Sequence, residues 1–139
     1  MFRIDPAFEG ASEPLASLPL SEARLQTDAR FPWLILIPRT PGAAEIEDLS
    51  AADRARLMDE AVLAGLAVRA IGETLGRPVE KLNLGQLGNV TRQMHLHVVG
   101  RRADDPAWPG PVWGQGERIL YDVKDLALAR AAALAVLAP

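Results

Sequence analysis

The sequence contains no cysteine among its 139 residues, so disulfide bridges and thiolate metal sites are excluded. Lysine is scarce, with two residues against thirteen arginines, and a formal charge of -3 does not indicate a surface that binds nucleic acid. No uninterrupted apolar run approaches the length of a membrane span, and the N-terminal stretch lacks the apolar core of a signal peptide. We therefore expect a cytoplasmic protein with no membrane or nucleic-acid partner.

Hydrophobic residues nevertheless make up 49% of the chain, which is typical of a globular domain with a buried core. Nothing divides the sequence, and we expect one domain over residues 1–139. Residues 2–17 are expected to be irregular, because Pro6, Gly10 and Pro14 interrupt any period. Alternation and short apolar runs predict strands over residues 18–27, 33–38, 81–86 and 93–101.

Two helices complete the prediction. The first begins at Ser50, carries apolar residues at steps of three and four along one face, and ends at Gly76. The second, over residues 125–137, is apolar on all sides, and we expect it to pack between two surfaces. The fold class is therefore α+β, an antiparallel sheet with the long helix on one face. The apolar second helix and the segment Trp108–Trp113 need covering, which predicts a homodimer.

The chain has only two histidines, His95 and His97, and they are two residues apart. On a strand this spacing places both rings on one side, together with Gln93, while Met94 and Leu96 point to the other side. A row of polar side chains fixed on a rigid strand is typical of a functional site.

Two alternatives to a catalytic pair remain open. A His-x-His pair can hold zinc, but a catalytic zinc usually has three protein ligands, and Asp104 or Asp105 would have to supply the third. The two histidines can also be solvated side chains on an exposed strand face.

The stretch from Gln93 to Val99 resembles the histidine triad of the HIT superfamily of nucleotide hydrolases and transferases, with glutamine replacing the first histidine. The segment Leu82–Gly114, which includes Trp108-Pro-Gly-Pro-Val-Trp113-Gly114, resembles a bacterial branch of that superfamily. The resemblance implies a HIT-like α+β domain, a homodimer and a purine nucleotide substrate. We expect no cofactor and no metal, because the chain offers too few ligands for a catalytic zinc.

The resemblance also implies roles for individual residues. His95 would attack the α-phosphorus of a nucleotide, and His97 would hydrogen-bond a phosphate oxygen or the leaving group. Gln93 can hold a phosphate oxygen or orient His95, but it cannot titrate. Substrate contacts are expected from five residues near the strand and in the first hairpin: Asn83, Asn89, Thr91, Asp28 and Arg30.

Three functions fit these features. The first is an enzyme that hydrolyses or transfers a nucleotide, the second is a module that binds a mononucleotide without turnover, and the third is a structural dimer with a vestigial pocket. The replacement of a titrating histidine by Gln93 is the best argument for the second.

Overall fold

A computed structural model describes all residues, 1–139, as a five-stranded antiparallel sheet with two α-helices. The strands lie side by side in the order β1-β2-β3-β5-β4. Neither helix combines the length and the apolarity needed to cross a membrane. The elements are β1 (Ser12–Ser17), β2 (Ser21–Gln26), β3 (Trp33–Pro38), α1 (Ala51–Thr74), β4 (Lys81–Gly85), β5 (Leu96–Arg101) and α2 (Val123–Leu137), with 3-10 helices at Pro6–Gly10 and Ile46–Asp48.

The α+β architecture predicted from the sequence is confirmed, but two boundaries were wrong. Residues 2–17 were expected to be irregular, yet β1 pairs with β2 as an edge strand. Pro14 is tolerated there because an edge strand has one unpaired side and the register shifts between Pro14 and Ala16. The strand predicted from residue 93 begins at Leu96, so Gln93 and His95 precede it.

Helix α1 forms as its sequence predicts. The Ser50 side chain accepts a hydrogen bond from the backbone N–H of Asp53, which caps the first turn. Gly76, with a φ of 74°, follows the last turn in the left-handed conformation that glycine adopts without strain. The apolar face of α1 is buried against the sheet and includes Leu57, Ala61, Ala64, Val68 and Ile71.

Both faces of the sheet carry an apolar cluster. The larger cluster lies between the sheet and the helices and contains Met94, Leu96 and Val98. A second cluster covers the opposite face and consists of Phe8, Phe31, Trp33, Ile35, Ile37, Val99 and Val112. The side of β5 that was expected to present a polar row is therefore the side that meets this second cluster.

Helix α2 packs against α1 and β1. It buries only Ala129, Ala133 and Leu137, and Val123 and Leu128 remain exposed. Helix α2 was expected to pack between two surfaces; it contacts two elements, α1 and the edge strand β1, and its remaining side is exposed.

Candidate active site

The two histidines lie on the face of the sheet that carries the second cluster. His97, on β5, is paired with Ile35 of β3 on one side and with Gly85 of β4 on the other. Gly85 leaves the space that Trp113 fills, since a Cβ at this position would come within 2.9 Å of the indole ring. The His95 and His97 rings meet edge to face, with centroids 4.8 Å apart.

His95 is buried, with 4% of its surface exposed. Its Nδ1 lies 2.7 Å from the backbone carbonyl of Gln93. A carbonyl can only accept, so Nδ1 carries the proton and Nε2 keeps its lone pair. Burial lowers the pKa of His95 below 6.5, an effect that the hydrogen bond to Gln93 partly opposes. The ring is therefore a neutral imidazole with an unshared electron pair on Nε2.

His97 is also buried, with 7% of its surface exposed. The Trp33 indole N–H donates to its Nδ1 over 3.0 Å, and the Trp33 and Trp113 rings pack against it edge to face. Burial, and then the charge of His95, lower the pKa of His97 from 6.5 to about 3. Both histidines are thus uncharged at neutral pH.

Gln93 joins the site to the N-terminal segment. Its side-chain Nε2 donates to the carbonyl of Arg3 over 2.7 Å, and its Oε1 accepts from the N–H of Asp5 over 2.8 Å. The Phe8 ring then packs edge to face on His95, with centroids 4.9 Å apart. The backbone of Gln93 thus orients His95, while its side-chain amide is occupied by the segment that covers the ring.

Arg101, two positions beyond Val99 on the same side of β5, is held in a buried network. Only 1% of its surface is exposed. It donates to both carboxylate oxygens of Asp105, at 2.8 and 3.1 Å, and to the side-chain oxygen of Asn83 at 2.7 Å. Burial alone would raise the pKa of Asp105, but hydrogen bonds from Arg101 and from backbone N–H groups hold it below its ordinary value.

The other predicted residues make no hydrogen bond to the two histidines. Asp28 and Arg30 pair with each other at 2.9 Å in the β2–β3 turn. Asn89 borders a polar cavity in the loop before β5, and neither Asn89 nor Thr91 makes a side-chain hydrogen bond. Asp104 pairs with Arg102, and no group of three or more histidine and acidic side chains lies close enough to hold a metal.

The family model that describes the HIT domain matches residues 8–104 of the sequence. The chain belongs to the HIT domain family. Solved structures of histidine triad proteins share the fold of this HIT protein over nearly its whole length. The protein from Sinorhizobium meliloti is 36% identical, with 99% of this chain and 98% of that chain covered and a TM-score of 0.87.

Two further histidine triad proteins are similar to this HIT protein. The one from Bradyrhizobium japonicum is 34% identical, with 98% of each chain covered and a TM-score of 0.86. The one from Marinobacter aquaeolei is 33% identical, with 99% of this chain and 96% of that chain covered and a TM-score of 0.87. No curated protein matches the chain.

Sequence reasoning on this HIT protein missed the aromatic side chains that enclose the histidines. Phe8 lies in a segment expected to be irregular, and Trp33 reads as one more apolar residue of a buried strand. Trp113 was noted, but not its contact with His97. The indole N–H of Trp113 is buried without a partner. The pairing of β3 with β5 brings Trp33 to His97, and tertiary packing brings Phe8 and Trp113 to the same face, so no local pattern signals these contacts.

Proposed function

We propose that this HIT protein is a nucleotide hydrolase or nucleotidyl transferase that acts on the α-phosphate of a phosphoanhydride or phosphoramidate. The observation that carries the proposal is the His95 ring, whose Nδ1 proton is committed to the Gln93 carbonyl and whose Nε2 lone pair is unshared. A neutral imidazole in this tautomer is a nucleophile. The membership of the chain in the HIT domain family supports the same chemistry.

In the proposed reaction, the Nε2 lone pair of His95 attacks the α-phosphorus. The bond from phosphorus to the leaving group breaks, and the leaving group departs with the electron pair and takes up a proton from solvent water. The product is a nucleotidyl-histidine, which water or another acceptor then cleaves to regenerate the imidazole. His97 stabilises the phosphate by donating a hydrogen bond to one of its oxygens. No cofactor is required, because the nucleophile belongs to the chain.

Substrate contacts are proposed for two of the five residues expected from the sequence. Asn89 and Thr91 have side-chain groups without partners, in the loop that leads to His95. Such a loop can hold phosphate oxygens with its hydroxyl and amide groups. Asn83, Asp28 and Arg30 would first have to leave the partners they bind.

The covered histidines also favour a second function. Phe8 packs on His95, Gln93 holds the N-terminal segment beside it, and only 4% of the His95 surface is exposed. Gln93 moreover offers no proton to a leaving group. A module that binds a purine mononucleotide without turnover is the alternative that these two features support.

Two measurements separate the possibilities. Turnover of a fluorogenic adenosine phosphoramidate is expected if the protein is an enzyme, and its absence, with AMP binding detected by isothermal titration, would favour the binding module. A protein that neither binds AMP nor turns over the phosphoramidate contradicts both. His95→Gln is the control, since it retains a polar side chain of similar size but removes the nucleophile.

A further inference from the structure

The hydrogen bond between Trp33 and His97 determines which nitrogen of His97 carries the proton. An indole N–H can donate but has no lone pair with which to accept. The Trp33 N–H points to Nδ1 of His97 at 3.0 Å, so Nδ1 must be the acceptor and Nε2 must carry the hydrogen. Both side chains are buried, with 5% and 7% of their surfaces exposed, so water does not compete for this contact.

The two histidines therefore have opposite tautomers. His95 donates from Nδ1 and presents a lone pair at Nε2, whereas His97 accepts at Nδ1 and presents an N–H at Nε2. Neither Nε2 has a hydrogen-bond partner in the chain, and neither is among the fully buried unpaired atoms. The pair thus offers one nucleophile and one donor from rings 4.8 Å apart.

We propose that Trp33 is a positioning residue that fixes His97 as an Nε2–H donor toward the substrate phosphate. The inference rests on the proposed function. In the other neutral tautomer, His97 would present a lone pair to a phosphate oxygen, and the two would repel. Protonation of His97 would place an Nδ1–H against the indole N–H, so the cation is disfavoured as well.

Nitrogen-15 NMR of the two histidines tests the assignment without any substrate. In the wild type near neutral pH, Nε2 of His97 and Nδ1 of His95 are expected to be the protonated nitrogens. Trp33→Phe removes the N–H and retains a ring, and we expect His97 to become a mixture of both tautomers. Trp113→Phe is the matched control, because its indole also packs on His97 but its N–H bonds nothing.

A wild-type His97 protonated at Nδ1, or a tautomer unaffected by Trp33→Phe, would overturn the proposal. In turnover assays, Trp33→Phe should lower kcat about two- to tenfold, the population ratio that one ordinary hydrogen bond maintains, with little change in KM. If the wild type turns over no nucleotide, the proposed function fails, while the NMR result still decides whether Trp33 fixes the His97 proton.

The contacts of Gln93 with the N-terminal segment support a second, independent inference. Residues 2–8 cross the face that carries the histidines. The Gln93 amide makes two hydrogen bonds to them, Phe8 packs on His95, and Phe2 and Ile4 pack against the second apolar cluster. Phe8 itself is 6% exposed. The segment has no strand pairing over these residues, so side-chain packing and the two hydrogen bonds to Gln93 keep it in place.

We infer that residues 2–8 form a lid over His95 and that the Gln93 side chain is its latch. Both polar groups of the amide are used, Nε2 on the Arg3 carbonyl and Oε1 on the Asp5 N–H, so the side chain binds the segment backbone at two positions. An imidazole at this position could not donate and accept in the same geometry. The glutamine therefore links the closed site to the N-terminal segment.

Diethyl pyrocarbonate, which acylates unprotonated imidazole, measures the lid directly because the chain has only two histidines. Both are neutral near pH 7, so the rate of acylation reports access. We expect slow reaction in the wild type and about tenfold faster reaction in Gln93→Ala, as the loss of two hydrogen bonds of ordinary strength implies. Gln86→Ala is the control, since that amide donates to Ala44 in another loop.

Two outcomes would contradict the lid. One is acylation of the wild type as fast as in the urea-unfolded chain, and the other is an equal rate in Gln93→Ala and Gln86→Ala. The assay needs no nucleotide, so its result does not depend on the proposed function. Circular dichroism of both variants separates local opening from unfolding.

Discussion

His95 and His97 lie two residues apart on one side of the sheet, yet their protons reside on different nitrogens. The difference comes from their partners, a carbonyl that only accepts and an indole that only donates. The spacing of the two histidines predicted that both lie on one side, because residues two apart in extended backbone point the same way. Their protonation states could not be predicted, because each depends on one neighbour within a few ångströms.

Substitution of the nucleophile gives the first prediction. His95→Ala and His95→Gln should abolish turnover of an adenosine phosphoramidate, whereas His97→Ala should reduce it by about 10²–10⁴-fold, because His97 only stabilises charge. Intact mass after rapid acid-free quenching should reveal one added nucleoside monophosphate on the wild type and none on the His95 variants. Wild-type turnover by His95→Gln would exclude covalent catalysis at this residue.

These substitutions also affect stability. If the histidines were solvated on an exposed strand face, the melting temperature of His95→Ala would stay near the wild-type value. The structure instead packs His95 against Phe8 and exposes only 4% of it, so truncation leaves a cavity. We expect a lower melting temperature for His95→Ala than for His95→Gln.

The depressed pKa of His97 predicts a loss of stability in mild acid. The unfolded chain binds a proton at this residue as the pH falls through 6.5, whereas the folded chain does so only at about 3. Stability from this group is therefore complete above pH 6.5 and is lost progressively below it. At about pH 5 the loss amounts to roughly 2 kcal/mol for one such histidine.

Urea unfolding of the wild type and His97→Gln at about pH 7.5 and pH 5 checks this. The variant should lose less free energy of unfolding than the wild type over that interval. Asp105, whose pKa is held below 3.8, changes the stability only at lower pH and therefore does not affect this comparison. Equal losses in both proteins would mean that His97 titrates normally in the folded state.

At the scale of elements, the site depends on how closely β5 approaches α1. Gly100 lies on β5, and a Cβ at this position would come within 2.7 Å of Pro32 and Val79 and 2.8 Å of Val68. These neighbours belong to a packed interior, where an added methyl group forces a shift. The glycine therefore sets the depth at which the strand that carries His97 sits on the helix.

Gly100→Ala is expected to destabilise the fold by about 1–3 kcal/mol, the usual cost of overpacking. The measurement is the free energy of unfolding in urea. Gly10→Ala is the matched control, since its Cβ would meet nothing within 4 Å, and surface changes of this kind stay within about 0.5 kcal/mol. Equal unfolding midpoints for the two variants would contradict the tight approach.

At the scale of the whole molecule, exposed apolar side chains lie together on the outer face of α1 and on β4. Met58, Val62, Leu66 and Leu84 are 51%, 67%, 54% and 46% exposed, and they border one groove with Leu82. Strand β4 is an edge of the sheet, so its outer backbone groups are unpaired. A patch beside an open edge suits a two-fold contact with a second copy.

The homodimer expected from the sequence thus remains a prediction, but on this face rather than around α2 and Trp108. Light scattering at micromolar concentration should give twice the chain mass for the wild type. Leu66→Glu should give a monomer, while Leu128→Glu, which charges the exposed side of α2, should leave the dimer intact. A monomeric wild type would exclude the dimer, and a dimeric Leu66→Glu would exclude this face.

The sequence by itself determined the α+β class, helix α1 with its cap and its end, and the position of the two histidines on one side of the sheet. Each of these depends on periods and turn residues that are local in the chain. The tertiary structure decided that β1 adds an edge strand to the sheet and that aromatic rings bury the histidines. It also decided that Trp33 and the Gln93 carbonyl set opposite tautomers and that the Gln93 side chain holds residues 2–8. These contacts join positions up to 90 residues apart, and no local period encodes them.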